Sequence, residues 1–408
     1  MPHDRIDALL RAELRTLHTE GRAKGAETVL AGIEAAQGDR GPRYRIEGEG
    51  AFLRMNANNY LGLSLRDEIV RAEHDGVGRF GAGPGAVRFI SGTWTAHVAL
   101  ERRLAAFHGR EAAMVFSSAY AAMIGLLPQI LPADSAAISD ALNHNCIING
   151  MRLARPRERH VYPHLDLVAL EARLAEAAKH CTRAVVVTDG IFSMRGDHAP
   201  LDAIATIIRR HDADFAENIL LVVDDSHGVG AFGATGRGTE EVTGAQADIL
   251  VGTLGKAFGV NGGYIAASQP VIDYLRETAP TYVYSNPISP GEAAAAARAV
   301  DLVDSVTGGM LLDHLHRMAA RFRDGLHRLS FETLPGAHPI VPLLVRDTGR
   351  TNALVAHLRR HQVLATGLAY PVVPRGDEEI RFQICADHTE ADIDETLSVL
   401  ETFLGSAP

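Results

Sequence analysis

The sequence predicts an α/β fold built on a mostly parallel sheet, and two observations support this prediction. Short apolar runs rich in β-branched residues recur at residues 136–139, 184–188 and 219–223. Such runs are typical of strands that are buried on both faces of a parallel sheet. Patterns of helical period separate them, at residues 145–155 and 166–180. Because ligands of α/β sheets bind at the carboxyl ends of the strands, we expect a functional site at that edge.

The predicted domain organisation follows from the order of strands and helices, which stops alternating regularly near residue 290. We expect residues 1–50 to form an N-terminal arm. The pattern of residues 1–37 predicts one or two amphipathic helices. Residues 51–289 carry the alternating strands and helices, and we interpret them as one large domain. Residues 290–408 begin with two long helical patterns and continue as strand, helix, strand and helix. They predict a smaller C-terminal domain of α and β elements, packed against the N-terminal arm.

The composition excludes several function classes. The 408 residues are 46% hydrophobic and 22% charged, which is ordinary for a globular protein and excludes a fibrous or disordered chain. The net charge of -10 gives no electrostatic footprint for nucleic acid, and an anionic ligand would need a local basic pocket. Cys146, Cys181 and Cys385 lie far apart, so neither a disulfide framework nor a structural zinc site is predicted, and we expect no metal.

The predicted location is the cytoplasm. The first 20 residues alternate charged and apolar side chains and lack the apolar core of a signal peptide. No apolar run approaches the roughly 20 residues that a membrane span needs. We therefore expect no membrane partner.

Lysine is unusually rare in this chain. Only Lys24, Lys179 and Lys256 stand among 40 basic residues, and the others are arginines. Arginine cannot form a Schiff base or lose its proton at neutral pH, so a retained lysine can indicate amine chemistry. Lys24 lies in a polar helical stretch, and Lys179 lies at the end of a helix, where a cation suits the helix dipole. Lys256 follows a strand and is surrounded by glycines, which makes it the candidate reactive amine.

Lys256, Asp224 and His227 together fit the needs of pyridoxal phosphate. This cofactor requires a lysine amine for its aldehyde and a carboxylate on its pyridine nitrogen. Asp224 stands at the end of a predicted strand, and His227, three residues later, could reach the ring hydroxyl. Each residue also has an ordinary interpretation, because a lysine after a strand is usually solvated and Asp224 could be a helix N-cap. Their shared position at strand ends favours the site.

A phosphate group would need backbone N–H groups at the start of a helix. Ala119 and Tyr120 offer them, because a helical pattern begins there directly after a strand. His144, which follows another predicted strand, is a candidate to stack on the cofactor ring. Taken alone, a histidine among the 19 in this chain is more often an ordinary surface or core residue.

Six motifs in order carry a resemblance to a known family. They span residues 58–63, 87–93, 139–144, 188–194, 224–230 and 252–256, and read Asn-Asn-Tyr-Leu-Gly-Leu, Val-Arg-Phe-Ile-Ser-Gly-Thr, Ser-Asp-Ala-Leu-Asn-His, Thr-Asp-Gly-Ile-Phe-Ser-Met, Asp-Asp-Ser-His-Gly-Val-Gly and Gly-Thr-Leu-Gly-Lys. With these motifs the chain resembles the α-oxoamine synthases, a group within the fold-type-I pyridoxal-phosphate enzymes, over residues 55–403. The resemblance implies the aspartate-aminotransferase-like fold, with helices on both faces of the sheet.

The resemblance also implies how the cofactor is held. It gives the roles described above to the same residues, namely Lys256, Asp224, His227, His144, Ala119 and Tyr120. Ser193 and Thr253 match residues that bond near the ring oxygen and the phosphate. Ser285 matches a serine that reaches the phosphate from the neighbouring subunit, which implies a homodimer with a shared active site.

The implied reaction is the condensation of a small amino acid with an acyl-CoA. Arg381 matches the arginine that binds the amino-acid carboxylate, and a bidentate guanidinium suits that task. Asn58 and Tyr60 match residues that line the substrate pocket. Lys256 would remove the α-proton, and the resulting carbanion would attack the thioester and release CoA. His144 is a second candidate catalytic group, because it could polarise the thioester carbonyl.

The closest resemblance within the family is to the glycine C-acetyltransferase (2-amino-3-ketobutyrate CoA ligase) branch. The 87–89, 224–227, 284–286 and 370–374 segments carry it, so glycine and acetyl-CoA are the first substrates to test. The 8-amino-7-oxononanoate synthase and serine palmitoyltransferase branches, with longer acyl-CoA donors, also stay open. Residues 81–85 and 25–45 depart from the acetyltransferase branch and are candidates for contact with the acyl chain. Outside the family, the chain could be a fold-type-I aminotransferase or lyase, or a non-enzymatic subunit that keeps the fold.

Overall fold

A computed structural model describes residues 3–20, 22–23, 25–370 and 373–405 of the chain. Two compact units make up the fold. The first contains the described residues within 1–57, 318–335 and 340–408, and the second contains residues 58–317 and 336–339. Lys24 and part of the 370–374 segment lie outside the described residues.

Fifteen strands are found among the described residues. In chain order they are β1 (Leu30–Glu34), β2 (Arg43–Ile46), β3 (Gly50–Arg54), β4 (Ala112–Phe116), β5 (Ser135–Asp140), β6 (Glu158–Tyr162), β7 (Arg183–Asp189), β8 (Ile219–Asp224), β9 (Ile249–Thr253), β10 (Gly263–Ala267), β11 (Glu332–Thr333), β12 (Ile340–Leu344), β13 (Val363–Leu364), β14 (Thr366–Leu368) and β15 (Glu379–Gln383).

Fourteen α-helices accompany the strands in the described ranges. They are α1 (Asp4–Thr19), α2 (Asp67–Phe80), α3 (Thr95–Phe107), α4 (Ala119–Ile130), α5 (Asn145–Ala154), α6 (Leu167–Ala177), α7 (Leu201–His211), α8 (Thr239–Thr243), α9 (Gln269–Thr278), α10 (Pro280–Val283), α11 (Pro290–Val303), α12 (Val306–Arg328), α13 (Thr348–Arg360) and α14 (Glu390–Gly405). Over the part of the chain that the structure describes, none of the helices combines the length and the apolar character needed to cross a membrane.

The second unit is built on a seven-stranded sheet with the order β4-β10-β9-β8-β7-β5-β6. Strands β5 to β9 run parallel to one another, and β10 runs antiparallel to both β4 and β9. The parallel part confirms the predicted fold class. Within it, β7 and β9 are buried along almost their whole length, because side chains on both faces are covered.

The register of the parallel strands aligns the ends that carry polar residues. Asp189 is the last residue of β7, and it pairs with Asp224, the last residue of β8. Asp224 in turn pairs with Val251, two residues before the end of β9 at Thr253. The polar residues that follow these strands therefore share one edge of the sheet.

The first unit contains two four-stranded sheets. In one, with the order β1-β2-β3-β13, the C-terminal strand β13 runs parallel to the N-terminal strand β3. The other has the order β11-β12-β15-β14 and is antiparallel. A hydrogen bond of 2.8 Å from Gln383 N–H to the Met55 carbonyl also joins N-terminal and C-terminal segments within this unit.

The boundaries of these units differ from the expected ones at residues 50 and 290. Helix α11 belongs to the second unit, because it packs on α2 and α3. The division therefore falls later, inside α12. The prediction of helix throughout residues 1–37 is wrong in its second half: α1 ends at Thr19, and residues 30–34 form β1, which pairs with β2. This tertiary pairing overrides the local helical pattern.

Candidate active site

A cavity of about 250 Å³ lies at the carboxyl edge of the large sheet. Its walls come from the segments that follow β4, β5, β7, β8 and β9. The lining residues are Ser118, Ala119, Tyr120, His144, Cys146, Asp189, Ile191, Ser193, Asp224, Ser226, His227, Thr253 and Lys256. The structure therefore brings together residues that the sequence predicts for the site from five separate segments.

Two buried carboxylates lie side by side at the base of this edge. Asp224 is 5% exposed and Asp189 is 4% exposed, and they are neighbours in the sheet. Asp224 does not cap a helix; its Oδ1 accepts hydrogen bonds from the Ser226 N–H at 3.2 Å and the Ser226 hydroxyl at 2.5 Å. Burial, followed by the negative charge of Asp224, raises the pKa of Asp189 well above its usual range.

His144 caps the start of α5 and lines the cavity with the two carboxylates. Its backbone N–H donates to Asp189 Oδ2 at 3.1 Å, and its Nδ1 lies 3.0 Å from the Cys146 sulfur. His144 is exposed to the cavity, although the protein around its ring removes part of the water. This burial, together with the positive charge of Lys256, lowers the pKa of His144 against the attraction of Asp224. A neutral imidazole is therefore favoured at this position.

The start of α4 provides backbone donors to the cavity. Ser118 caps the helix: its hydroxyl accepts from Ala121 N–H at 3.0 Å and its carbonyl accepts from Ala122 N–H at 3.0 Å. In the described part of the chain we find no acceptor for the N–H groups of Ala119 and Tyr120, the first residues of the helix. An anion is the natural ligand for such a pair of donors.

A close approach of two backbones fixes this helix start. Gly263, the first residue of β10, lies so near that a Cβ built on it would stand 2.0 Å from the Ala119 nitrogen. No side chain fits there, and Gly263 pairs in the sheet with both Phe116 and Thr253. The strand therefore sets the position of the α4 N-terminus relative to the end of β9.

Lys256 lies in the turn between β9 and β10, where its carbonyl accepts from the Gly259 N–H at 3.0 Å. Thr253, at the end of β9, donates its hydroxyl to the Gly262 carbonyl at 3.1 Å and accepts from the Gly255 N–H at 3.2 Å. These bonds close the turn that presents the lysine. The second described lysine, Lys179, is exposed and bonds Glu176 at 2.6 Å, as expected for a surface cation.

A charged cluster holds the loop that carries Ser193. His164 bonds both Asp140, at 3.0 Å, and Asp197, at 3.2 Å, and its ring packs edge-on against Phe192. Burial opposes its protonation, but the hydrogen bonds to Asp140 and Asp197 raise the pKa of His164 to about 9. His164 is thus a cation at neutral pH. It ties the loop after β7 to the end of β5.

Four predicted residues do not line this cavity. Ser285 follows α10 and does not line the cavity of its own chain, and its predicted role in a neighbouring subunit stays a prediction. Asn58 and Tyr60 lie between β3 and α2, and the Tyr60 hydroxyl is hydrogen-bonded to the ring of His227 at 2.7 Å. Arg381 lies in the first unit, in the middle strand β15, opposite Pro342 and Thr366.

The sequence reasoning missed Cys146 and Asp189 as site residues. Asp189 had a visible signal, because it ends a predicted strand as Asp224 does, within one of the six motifs. Cys146 had no signal in the sequence, since a single cysteine two residues after a histidine is not a distinctive motif. Only the fold brings its sulfur within 3.4 Å of Asp224 Oδ2.

Comparison with known proteins gives one consistent family. The chain matches the family described as Aminotransferase class I and II over residues 51–400. It is 42% identical to the 8-amino-7-oxononanoate synthase of Geobacter metallireducens, covering 93% of this chain and 94% of that protein. It is 37% identical to the human mitochondrial 2-amino-3-ketobutyrate coenzyme A ligase, covering 95% of this chain and 90% of that protein.

Solved structures agree with these relatives. A serine palmitoyltransferase from Sphingomonas wittichii superposes with a TM-score of 0.87, at 26% identity and 99% coverage of both chains. A structure of serine palmitoyltransferase with pyridoxal phosphate gives a TM-score of 0.85, at 25% identity, covering 98% of this chain and 97% of that one. These similarities confirm the predicted fold-type-I fold and identify pyridoxal phosphate as the cofactor.

The residues of the cavity fit this cofactor. Two adjacent buried carboxylates call for a positive charge beside them, and a protonated pyridine ring would supply it. The two N–H groups at the start of α4 suit a phosphate, and Lys256 supplies the amine. The chain therefore belongs to the α-oxoamine synthases within the aminotransferase class I and II family, pyridoxal-phosphate-dependent acyltransferases that use acyl-CoA.

Proposed function

We propose that this enzyme joins the α-carbon of a small amino acid to the acyl group of an acyl-CoA, with glycine and acetyl-CoA as the first pair to test. The observation that carries this proposal is the position of Lys256 in one cavity with Asp224, His144 and the start of α4. A lysine amine, a buried carboxylate and an anion cradle are the parts that amino-acid chemistry with this cofactor needs.

The residues would share the work of holding the cofactor. Lys256 would hold it through its amine, Asp224 at the pyridine nitrogen and His227 at the ring oxygen, with His144 against the ring face. Ser193 and Thr253 would bond near the ring oxygen and the phosphate, and the N–H groups of Ala119 and Tyr120 would bind the phosphate. When bound, the cofactor withdraws electrons from the α-carbon of the amino acid.

The chain's own residues would then direct the condensation. Arg381 would bind the amino-acid carboxylate with its guanidinium, and Lys256 Nζ would accept the α-proton. The α-carbon forms a bond to the thioester carbonyl carbon while the C–S bond breaks, and the sulfur leaves as CoA. A neutral His144 can donate a hydrogen bond toward the thioester oxygen, a role that its lowered pKa permits.

The partner subunit would complete the site. Ser285 lies outside the cavity of its own chain, as a residue offered to a second copy would. Tyr284 beside it is 80% exposed, and Phe89 and Ile90 are each 67% exposed, so apolar surface is available for burial in a homodimer. We also propose a cytoplasmic location for this enzyme.

A second substrate pair is favoured by sequence identity. The Geobacter relative is 42% identical, against 37% for the human ligase. The product in its name, 8-amino-7-oxononanoate, contains the α- and β-carbons of alanine joined to a seven-carbon dicarboxylic acyl group. For this pair the bond from the α-carbon to the carboxylate would also break, and the carboxylate would leave as CO2. Alanine with pimeloyl-CoA is therefore the alternative to glycine with acetyl-CoA.

The test is CoA release by the cofactor-loaded enzyme, with glycine, alanine and serine each crossed against acetyl-, succinyl-, pimeloyl- and palmitoyl-CoA. The Lys256→Ala variant measures background thioester hydrolysis. Release with glycine and acetyl-CoA alone supports the first pair, and release with alanine and pimeloyl-CoA alone moves the enzyme to the second. Formation of a keto acid from the amino acid without CoA release would contradict both and indicate an aminotransferase.

A further inference from the structure

Three ligating side chains of different chemistry converge in the cavity. They are the imidazole of His144, the thiol of Cys146 and the carboxylate of Asp224. Nδ1 of His144 lies 3.0 Å from the sulfur, the sulfur lies 3.4 Å from Asp224 Oδ2, and all three atoms lie within 4.8 Å of one another. We propose that the cofactor-depleted protein binds one zinc ion at these three residues.

The distances suit zinc. With zinc–ligand bonds of about 2.0–2.3 Å, neighbouring ligand atoms of a tetrahedral site stand about 3.3–3.6 Å apart. The sulfur–oxygen separation of 3.4 Å lies in this range. The sulfur–nitrogen separation of 3.0 Å is shorter, so the imidazole must move outward by a few tenths of an ångström when the metal binds. A set of one nitrogen, one sulfur and one oxygen atom favours zinc over magnesium or calcium, because a thiolate is a soft ligand.

Helix α5 and the hydrogen bonds of Ser226 fix the positions of the three ligating residues. His144 and Cys146 stand at the cap and first turn of α5, so their backbones are fixed by the helix. Asp224 is held through Oδ1 by Ser226, which leaves Oδ2 directed toward the sulfur. Such outer bonds orient the ligands of a metal site. In the structure His144 Nδ1 accepts a hydrogen bond of 3.3 Å from the Cys146 N–H, and the imidazole would exchange this bond for the metal.

The charges also match. A thiolate and a carboxylate carry two negative charges, which a divalent cation neutralises in a buried setting where Cys146 is 1% exposed. The thiol proton leaves to solvent when the metal binds. All three residues line the cavity, so a water molecule from the cavity would serve as the fourth ligand.

Zinc and cofactor would exclude each other. This step rests on the proposed function, because it assigns Asp224 to the pyridine nitrogen. One carboxylate oxygen cannot serve both the metal and the ring, and both occupy the same cavity. Zinc would therefore bind only the cofactor-free enzyme and would slow the binding of pyridoxal phosphate.

The experiment uses the full chain after removal of the cofactor. Titration with Zn²⁺ against a chelating dye should give one tight site per chain, and Co²⁺ in its place should give a thiolate-to-cobalt absorption band. Cys146→Ser should remove that band and weaken zinc binding by more than about a hundredfold, because a neutral hydroxyl is a poor zinc ligand. Cys181→Ala, which removes another buried thiol, should keep both signals. Circular dichroism verifies that each variant is folded.

Three results would overturn the inference. They are equal zinc affinity of Cys146→Ser and the unaltered protein, loss of binding in Cys181→Ala, and absence of the thiolate band in the unaltered protein. The last needs no variant. Uptake of pyridoxal phosphate at an unchanged rate by the zinc-loaded protein would overturn the exclusion alone. Zinc binding is measured without substrates, so failure of the CoA-release test leaves it unaffected.

Discussion

The hydroxyl of Tyr60 lies 2.7 Å from Nδ1 of His227 and joins residues 167 positions apart in the chain. His227 is also held at its backbone, where its carbonyl accepts a hydrogen bond of 2.9 Å from Nε2 of His338. The ring of His338 packs edge-on against Tyr60. The orientation of His227, the residue proposed to meet the cofactor ring oxygen, is thus set by two side chains from distant segments.

Tyr60→Phe removes one of these restraints and should weaken cofactor binding. The loss of one buried hydrogen bond is worth roughly 0.5–1.5 kcal/mol, or about 2- to 12-fold in the dissociation constant. The dissociation constant can be measured by equilibrium dialysis with pyridoxal phosphate. Tyr274→Phe, at a half-exposed tyrosine on α9, is the control and should leave it unchanged. Equal dissociation constants for Tyr60→Phe and the unaltered protein would show that His227 does not depend on this bond.

Lys256→Ala should abolish CoA release while the protein stays folded. The residue lies in a turn closed by the backbone and by Thr253, so its side chain is not needed for that turn. Lys179→Ala, at the exposed lysine that bonds Glu176, is the matched control and should retain full activity. CoA release and circular dichroism together check the prediction. Measurable condensation by cofactor-loaded Lys256→Ala would contradict the assignment of the base.

Much of the large sheet could be predicted from sequence, because its strands are continuous apolar runs. The runs at 136–139, 184–188 and 219–223 correspond to β5, β7 and β8 within one or two residues. The edge strand β6 was not predicted, since only Tyr162 of its five residues is buried and the strand has no continuous apolar run. Strand β1 was mistaken for helix, because its structure depends on pairing with β2.

For the candidate site, too, one part could be predicted from the sequence and another could not. Residues at strand ends, such as Asp224, could be found from local pattern, because the parallel register gathers those ends at one edge. The bonds between distant segments could not be found. His164 illustrates this, since its partners Asp140 and Asp197 lie 24 and 33 residues away along the chain and no local pattern links them.

Arg381→Ala should raise the KM for the amino acid strongly, with a smaller effect on the KM for acyl-CoA. A guanidinium that binds a carboxylate through two parallel hydrogen bonds contributes on the order of 1.5–3 kcal/mol, or about 10- to 150-fold. Arg381→Lys should recover only part of this, since an ammonium lacks the planar fork. Steady-state kinetics with each substrate varied in turn gives both constants. An unchanged KM for the amino acid would mean that another group binds its carboxylate.

Gly263→Ala should weaken the binding of pyridoxal phosphate. The loss in binding free energy should exceed the loss in the free energy of unfolding. The added methyl group would stand 2.0 Å from the Ala119 nitrogen, so the start of α4 must move and its phosphate donors with it. Gly78→Ala, on α2 with open space around it, is the control: it should leave the binding of pyridoxal phosphate unchanged and raise stability slightly, because alanine favours a helix more than glycine does. Equilibrium dialysis with pyridoxal phosphate and with inorganic phosphate tests both variants. Phosphate affinity that is equal in Gly263→Ala and the unaltered protein would show that the α4 N-terminus does not hold the phosphate.

His164→Gln should destabilise the protein in a pH-dependent way. The pKa of His164 is raised to about 9 in the folded protein, above the value near 6.5 of an unfolded chain. The stabilisation is therefore complete below about pH 6.5 and is lost as the pH rises through about 9. Its upper limit is about 3.5 kcal/mol, since each pKa unit corresponds to about 1.4 kcal/mol and the pKa rises by about 2.5.

Thermal unfolding of the unaltered protein and His164→Gln at about pH 6 and about pH 9.5 measures this dependence. The difference in unfolding midpoint between the two proteins should be large at the lower pH and small at the higher one. His74→Gln, at a side chain that is 87% exposed, should match the unaltered protein at both pH values. A difference that is the same at both pH values would mean that His164 acts through its packing on Phe192, because packing does not depend on its charge.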